Sequence, residues 1–271
     1  MHPSLPRQVR LPINRCNLPA AILGSLTYQQ HPVALKLDGV EELHQALFSY
    51  LDKLEDAAER ARVFTAHMAA AFSLDHPEDA GMTLMGRCTR PKANYLKVLR
   101  GWAFDADGRE GAVLKGWVES RFGLLPRHHG GPIRDFSGPA YRHYLEQRSG
   151  GLYNTNSLEA QFDLVYAYCQ HELARRWPAA THLTLYRGVN RMGGYEALGV
   201  GNTRQPIVLL NSLNSFTLDR ERACEFGDQI LEVQVPLPKV FFFHGLLPGK
   251  LQGEAEYGVI GGVYAVKLAK S

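Results

Sequence analysis

The stretch Arg175-Arg176-Trp177-Pro178-Ala179-Ala180-Thr181-His182-Leu183-Thr184-Leu185-Tyr186 divides the chain into two kinds of pattern. Before it, Leu158, Phe162, Val165, Cys169, Leu173 and Trp177 recur at helical spacing, which predicts one long helix with an apolar stripe. Asn156 with Glu159 three residues on makes a capping box, Arg175 and Arg176 suit the negative end of the helix dipole, and Pro178 stops it. After it, Thr181 to Tyr186 reads as a strand. Because the long helix leads directly into the first strand, the expected fold class is α+β. A helical portion, residues 1–178, packs on a β-rich portion, residues 179–271, as one compact unit.

Upstream, Pro3, Pro6, Pro12, Pro19 and Pro32 fix φ and remove donors, so residues 1–38 are expected to be an extended arm wrapped around the body. From Val40, Leu43, Leu47, Tyr50, Leu51 and Leu54 repeat at helical spacing. Val63, Phe64, Met68, Ala71 and Phe72 repeat it again after the acidic start Glu55-Asp56. Asn94–Trp102 and Gly111–Phe122 read as two more helices about the turn Asp105-Ala-Asp-Gly108, whose Gly is expected to supply a positive φ. Pro126–Pro139 reads as a loop. Its adjacent His128 and His129 make a poor metal pair, since neighbouring side chains diverge and no carboxylate or Cys sits at a matching interval. Downstream, Ile207–Leu210, Gln229–Val235, Val240–Phe243, Glu256–Ile260 and Val263–Leu268 read as strands, with one helix from Leu218 to Phe226 closed by Gly227.

Composition narrows the function classes. The 271 residues suffice for one large or two small domains, and 45% hydrophobic with 21% charged residues is ordinary for a globular enzyme. The net charge of +3 comes from scattered Lys and Arg, which does not support a nucleic-acid patch. Cys16, Cys88, Cys169 and Cys224 form no C-x-x-C pair, so reduced thiols are expected rather than a zinc site or disulfide framework. Met1–Pro19 lacks the apolar segment of a signal peptide and no run of 18 apolar residues occurs, so a cytoplasmic protein without a membrane span is expected.

Three polar features punctuate the β-rich part. Leu185-Tyr186-Arg187-Gly188 puts an Arg, the side chain suited to a diphosphate, at a strand end beside a Gly that lets a ligand approach the backbone. In Asn214-Ser215-Phe216-Thr217, Thr217 reads most simply as a helix N-cap, while Ser215 is left to bond a ligand or orient a carboxylate. In Glu254-Ala255-Glu256 two carboxylates share one face of a strand. Alone, each feature also fits a bland reading: a salt-bridged surface Arg, a cap, an acidic edge strand.

Their order is more telling. Arg187 at a strand end, Ser215-x-Thr217 followed by Ala223-x-x-Phe226-Gly227, and the terminal Glu254-x-Glu256 together resemble the Arg-Ser-Glu class of mono-ADP-ribosyltransferases. Thr217 stands where that class has Ser and keeps the hydroxyl. Asn17-Leu-Pro19, Asn94-Tyr-Leu-Lys-Val-Leu-Arg-Gly-Trp102 and Gly108-Arg-Glu-Gly-Ala-Val-Leu-Lys-Gly-Trp-Val-Glu-Ser-Arg-Phe-Gly123 extend the resemblance along essentially the whole chain. They are similar to the bacterial dinitrogenase reductase ADP-ribosyltransferases.

The resemblance implies a split-sheet catalytic core and an enzyme that moves ADP-ribose from NAD to an arginine of dinitrogenase reductase, the nitrogenase iron protein, switching nitrogen fixation off. It implies that Glu256 stabilises the positive charge developing on the ribose, that Ser215 positions Glu256, and that Arg187 holds the diphosphate. Glu254 handles the incoming guanidinium, and Gly188, Thr217 and Phe226 complete the NAD site. For Phe226, closing its helix onto the core is an equal alternative. The resemblance also implies control by a PII-type signalling protein; a monomer without a metal is expected. An NAD glycohydrolase and a catalytically silent NAD- or partner-binding module are the competing readings. Gly199-Val-Gly201 and Leu247-Pro-Gly249-Lys250 fail as nucleotide fingerprints, so NAD is expected to bind without a Rossmann fold.

Overall fold

The computed structural model describes residues 4–75, 94–152, 157–190, 196–200, 205–251 and 255–270; Cys88, Asn156 and Glu254, with the expectations placed on them, lie outside these. Ten α-helices are described: α1 (Ala20–Leu23), α2 (Leu26–Gln30), α3 (Val40–Leu43), α4 (Gln45–Leu51), α5 (Ala57–Ala71), α6 (Tyr95–Phe104), α7 (Arg109–Phe122), α8 (Pro139–Gly151), α9 (Ser157–Arg176) and α10 (Arg220–Cys224). The strands are β1 (His182–Val189), β2 (Glu196–Val200), β3 (Pro206–Thr217), β4 (Gln229–Pro236), β5 (Val240–Phe243), β6 (Glu256–Ala265) and β7 (Lys267–Lys270). The class is α+β, with nine of these helices preceding the strands and α10 lying between β3 and β4.

All seven strands belong to one antiparallel sheet of order β5-β6-β3-β1-β4-β7, with β2 also paired to β3. β1 pairs with β4 over its whole length, from His182 opposite Pro236 to Val189 opposite Gln229. With β3 it pairs at one position, Tyr186 opposite Thr217. The sheet is therefore split into a β2/β3/β5/β6 half and a β1/β4/β7 half that meet at a single rung.

The long helix α9 buries Leu158, Phe162, Val165, Cys169 and Leu173 as the periodicity predicts, and it packs on β5. Central to the helical portion is α7, whose Trp117 stacks on Phe241 of β5 with ring centroids 4.2 Å apart. The Trp117 indole N–H reaches Asp163 at 2.7 Å, and Arg121 grips the same carboxylate through Nε and Nη2 at 2.7 and 2.8 Å, tying α7 to α9.

Several expectations need correction. The N-terminal arm is not wholly extended: no proline falls between Ala20 and His31, and α1 and α2 form there, with Ser25 capping α2 through the Tyr28 amide. The helix from Val40 is interrupted at His44, and Leu43 and Tyr50 point to solvent while Leu47 and Leu51 enter the core. Gly108 takes no positive φ; at φ −80° it is the extended N-cap of α7, while Gly123 at φ 70° supplies the left-handed C-cap. Helix α8 has no counterpart in the apolar pattern because most of its positions are exposed or half-buried, with Tyr144 its one fully buried large side chain. The expected strands at Ile207–Leu210 and Glu256–Ile260 extend into the long strands β3 and β6. A register shift between Leu210 and Leu213 absorbs the polar residues Asn211 and Ser212 that follow Leu210.

Lys239, 2% exposed, donates to the Gly261 carbonyl at 2.7 Å beneath the Tyr28 ring. Burial pushes its ammonium from the ordinary 10.5 down to about 7, only partly offset by Cys16. Below pH 7 the group is charged in both folded and unfolded chains, and the burial cost is full. Between pH 7 and 10.5 the unfolded chain binds the proton more often, so stability rises with pH by up to about 1.4 kcal/mol per unit. Lys239→Met is expected to raise Tm at pH 6.5, with the gain shrinking toward pH 9. Thermal melts of both proteins at the two pH values check this, and a gain independent of pH would contradict it.

Candidate active site

The site is built where the two halves of the sheet meet. Glu256 opens β6 directly opposite Thr217 on β3, and Ser215 lies opposite Gly258. Residues of β3, among them Leu209, Asn211, Leu213, Ser215 and Thr217, line a cleft of about 1160 Å³, whose other lining residues include Trp102, Lys115, Arg187, Phe226 and Glu256. That volume accommodates a ligand the size of a dinucleotide.

Glu256 is held by two donors. The Ser215 hydroxyl donates to its Oε1, and the Trp102 indole N–H donates to the same oxygen at 2.6 Å. Arg187, one residue beyond the rung where β1 meets β3, donates through Nη1 to the Ser215 carbonyl at 2.7 Å. Three of the residues singled out in the sequence, from β1, β3 and β6, are thus joined by direct hydrogen bonds on one wall of the cleft.

The remaining candidates divide. Phe226 is 53% exposed and lines the cleft, so it does not close its helix onto the core. Thr217 is buried, and its Oγ1 accepts from the Asp219 amide. The N-cap of α10 is Asp219, whose carboxylate accepts from the Glu221 and Arg222 amides, so the capping role expected of Thr217 is corrected. That helix is also shorter than expected, because Thr217 still belongs to β3. Gly188 lines the cleft, but what its missing side chain admits is protein. A Cβ there would overlap the Ala223 carbonyl, and one on Gly227 would overlap the backbone of Val189. The two glycines let the end of α10 nest against β1 and bring Phe226 to the cleft.

Opposite β3, the cleft wall comes from α6, the turn after it, and the 126–134 loop. Lys115 of α7, 1% exposed, donates from Nζ to Asp107 at 2.7 Å and to the His128 carbonyl at 3.0 Å, with His129 Nδ1 at 3.3 Å. Burial lowers the Lys115 ammonium and Asp107 resists that shift. Burial by itself would raise the Asp107 carboxyl, but His128 and Lys115 hold it well below the usual carboxylate range. His129 is pushed down to about 4, first by burial and then by the Lys115 charge, so it is neutral at pH 7. The His128-His129 pair is thus part of a polar cluster in which Lys115 and His129 are buried and His128 is exposed, and the carboxylate beside it comes from Asp107, more than twenty positions upstream. Among the described residues no group of three or more His, Cys, Asp or Glu side chains is arranged to hold a metal ion, and no helix is long and apolar enough to cross a membrane.

Sequence reasoning missed Trp102, Lys115 and Asp107. The available signal was the indole: a Trp in the last turn of an amphipathic helix brings an N–H that needs a partner once buried, and Trp102 is 2% exposed.

Comparisons with known proteins place the chain in a family. The family described as Dinitrogenase reductase ADP-ribosyltransferase matches residues 13–268. A relative from Rhodospirillum rubrum, named NAD(+)--dinitrogen-reductase ADP-D-ribosyltransferase, is 41% identical over 259 residues, covering 94% of each chain. No solved structure matches the chain significantly. A match over nearly the full length, together with a carboxylate, a serine and an arginine joined at the seam of a split sheet, shows that the chain belongs to the dinitrogenase reductase ADP-ribosyltransferase family.

Proposed function

We propose that this chain cleaves NAD and transfers its ADP-ribose to an arginine side chain of dinitrogenase reductase, so that nitrogen fixation is switched off. The observation that carries the reading is Glu256, a carboxylate fixed by Ser215 and Trp102 in a cleft that also presents Arg187. In the reaction the bond between nicotinamide and ribose C1′ breaks, a guanidinium nitrogen of the acceptor bonds to C1′, and that nitrogen gives up one proton.

Glu256 stabilises the positive charge that develops at C1′, which lowers the barrier because the charge is larger in the transition state than in bound NAD. Ser215 keeps the carboxylate in register with the ribose. Arg187 meets the diphosphate, Phe226 offers an aromatic face to nicotinamide, and Gly188 and Thr217 shape the pocket floor. The acceptor guanidinium, with a pKa above about 12, is a poor nucleophile until oriented and relieved of its proton. Glu254, two residues before Glu256, takes that task, and arginine specificity rests on it.

The same reading includes a cytoplasmic, monomeric enzyme under PII-type control, with the helical portion 1–178 and the core 179–271 working as one unit. Incubation with labelled NAD and the iron protein tests it: label on an iron-protein arginine is expected, and absence of transfer rejects it. Glu254→Gln is expected to reduce arginine transfer by at least tenfold while retaining most NAD hydrolysis, measured as nicotinamide release in the absence of acceptor. Equal loss of both activities would show that the two carboxylates do not divide the work.

A further inference from the structure

We infer that Trp102, on α6 of the helical portion, is a positioning residue for Glu256 and sets the rate of NAD cleavage without contributing to NAD binding. The inference rests on the proposed role of Glu256 and extends it to a residue outside the β-rich core.

The indole N–H is a donor with no acceptor capacity, and when buried it needs a partner. Trp102 lies in the last turn of α6, is 2% exposed, and directs its N–H to Glu256 Oε1 at 2.6 Å. A carboxylate acceptor makes this a charge-assisted bond, short and stronger than a neutral one. The Ser215 hydroxyl reaches the same oxygen from β3. Two donors from separate elements thus fix one oxygen of the carboxylate, and rotation of Glu256 about its last torsion requires breaking both bonds.

The ring is itself held. Lys115 Nζ lies 5.9 Å from the centroid of the Trp102 ring, and that ammonium is fixed by Asp107 and the His128 carbonyl. The buried Lys115 ammonium thus lies against the indole ring while the indole N–H donates to the Glu256 carboxylate. A cation near the ring face draws electron density from the indole and strengthens the N–H as a donor. Within this chain of contacts the Asp107, Lys115 and His128 cluster has a purpose that NAD contacts alone do not give it: it holds the group that holds Glu256.

A hydrogen bond to a charged acceptor contributes about 1.5–3 kcal/mol, which corresponds to roughly 10–100-fold in rate when the bond is needed only to keep the carboxylate aimed. The test replaces the N–H and nothing else. Full-length protein carrying 3-benzothienylalanine at position 102, in which sulfur stands for N–H in a ring of nearly the same shape, is compared with wild type, with Trp102→Phe and with 4-fluorotryptophan at 102, which keeps the N–H. Nicotinamide release is followed over a range of NAD concentrations. For the benzothienyl and Phe proteins, kcat is expected to fall roughly 10–100-fold with KM for NAD within about threefold, and the fluorotryptophan protein is expected to stay near wild type. A benzothienyl protein with wild-type kcat, or one whose loss lies in KM, overturns the inference. If wild type itself releases no nicotinamide, the proposed function fails instead, so the two failures are distinguishable.

Discussion

Glu256→Gln is expected to lower NAD cleavage by roughly 10²–10³-fold while leaving NAD affinity within a few-fold of wild type and the fold intact. The amide has the shape of the carboxylate, and its oxygen still accepts from Ser215 and Trp102, so the local bonds of β3 and α6 to β6 persist. What disappears is the negative charge facing the ribose. That charge interacts weakly with bound NAD and strongly with the state in which the nicotinamide bond is nearly broken, so the loss belongs to kcat. Nicotinamide release gives kcat, and titration with NAD gives the affinity. A variant that keeps wild-type kcat would remove Glu256 from the chemistry.

The largest effect on stability is expected at Arg60. Its guanidinium, on α5, donates from Nε and Nη2 to both oxygens of Glu172 on α9 at 2.6 and 2.9 Å, and from Nη1 to the Leu54 and Glu55 carbonyls at 2.9 and 2.8 Å. The two residues are 5% and 6% exposed. Arg60→Leu leaves a buried carboxylate whose remaining ion-pair neighbour among the described residues is His171, and should cost about 3–5 kcal/mol in urea unfolding. Arg60→Leu combined with Glu172→Leu removes the stranded charge and should recover most of that loss.

The acid side of the stability curve gives a second readout of the same pair. Burial would raise the Glu172 carboxyl, but Arg60 and then His171 pull it down from the ordinary 4.5 to about 2. The stabilisation from this shift is fully present above pH 4.5 and is lost as pH falls through 2. The double replacement should flatten that limb. A double variant no more stable than Arg60→Leu would mean that the residue acts by packing its stem.

The helix-to-strand switch at Pro178 was legible because proline and a change from 3.6-residue to two-residue periodicity are local signals. The apolar stripe of α9 followed from it. Ser215, Arg187 and Glu256 were legible as a pattern of types in a fixed order, and the structure joins them through hydrogen bonds between strands. Trp102 was not legible as a site residue, since its partner lies 154 positions away and nothing local marks an indole as facing a carboxylate. Asp107 was lost for a similar reason: its contacts with Lys115 and His128 arise from the turn between α6 and α7 folding over the 126–134 loop. At Gly188 a glycine beside an arginine suits a ligand and a neighbouring helix equally; the residue lines the cleft, and packing fills its Cβ side with the Ala223 carbonyl. Thr217 misled because a hydroxyl before a helix is a plausible cap, yet Asp219 stands two residues closer to the helix and takes the amides.

The single rung between β1 and β3 gives Arg187 a mechanical duty beside its charge. Past Tyr186 and Thr217 the two strands share no further backbone pairing, and the guanidinium of Arg187 laid on the Ser215 carbonyl stitches the gap that the backbones leave open. The same side chain therefore joins the two leaves of the sheet and lines the cleft. In the proposed reaction the diphosphate and the strand carrying Ser215 thus share one anchor, the Arg187 guanidinium.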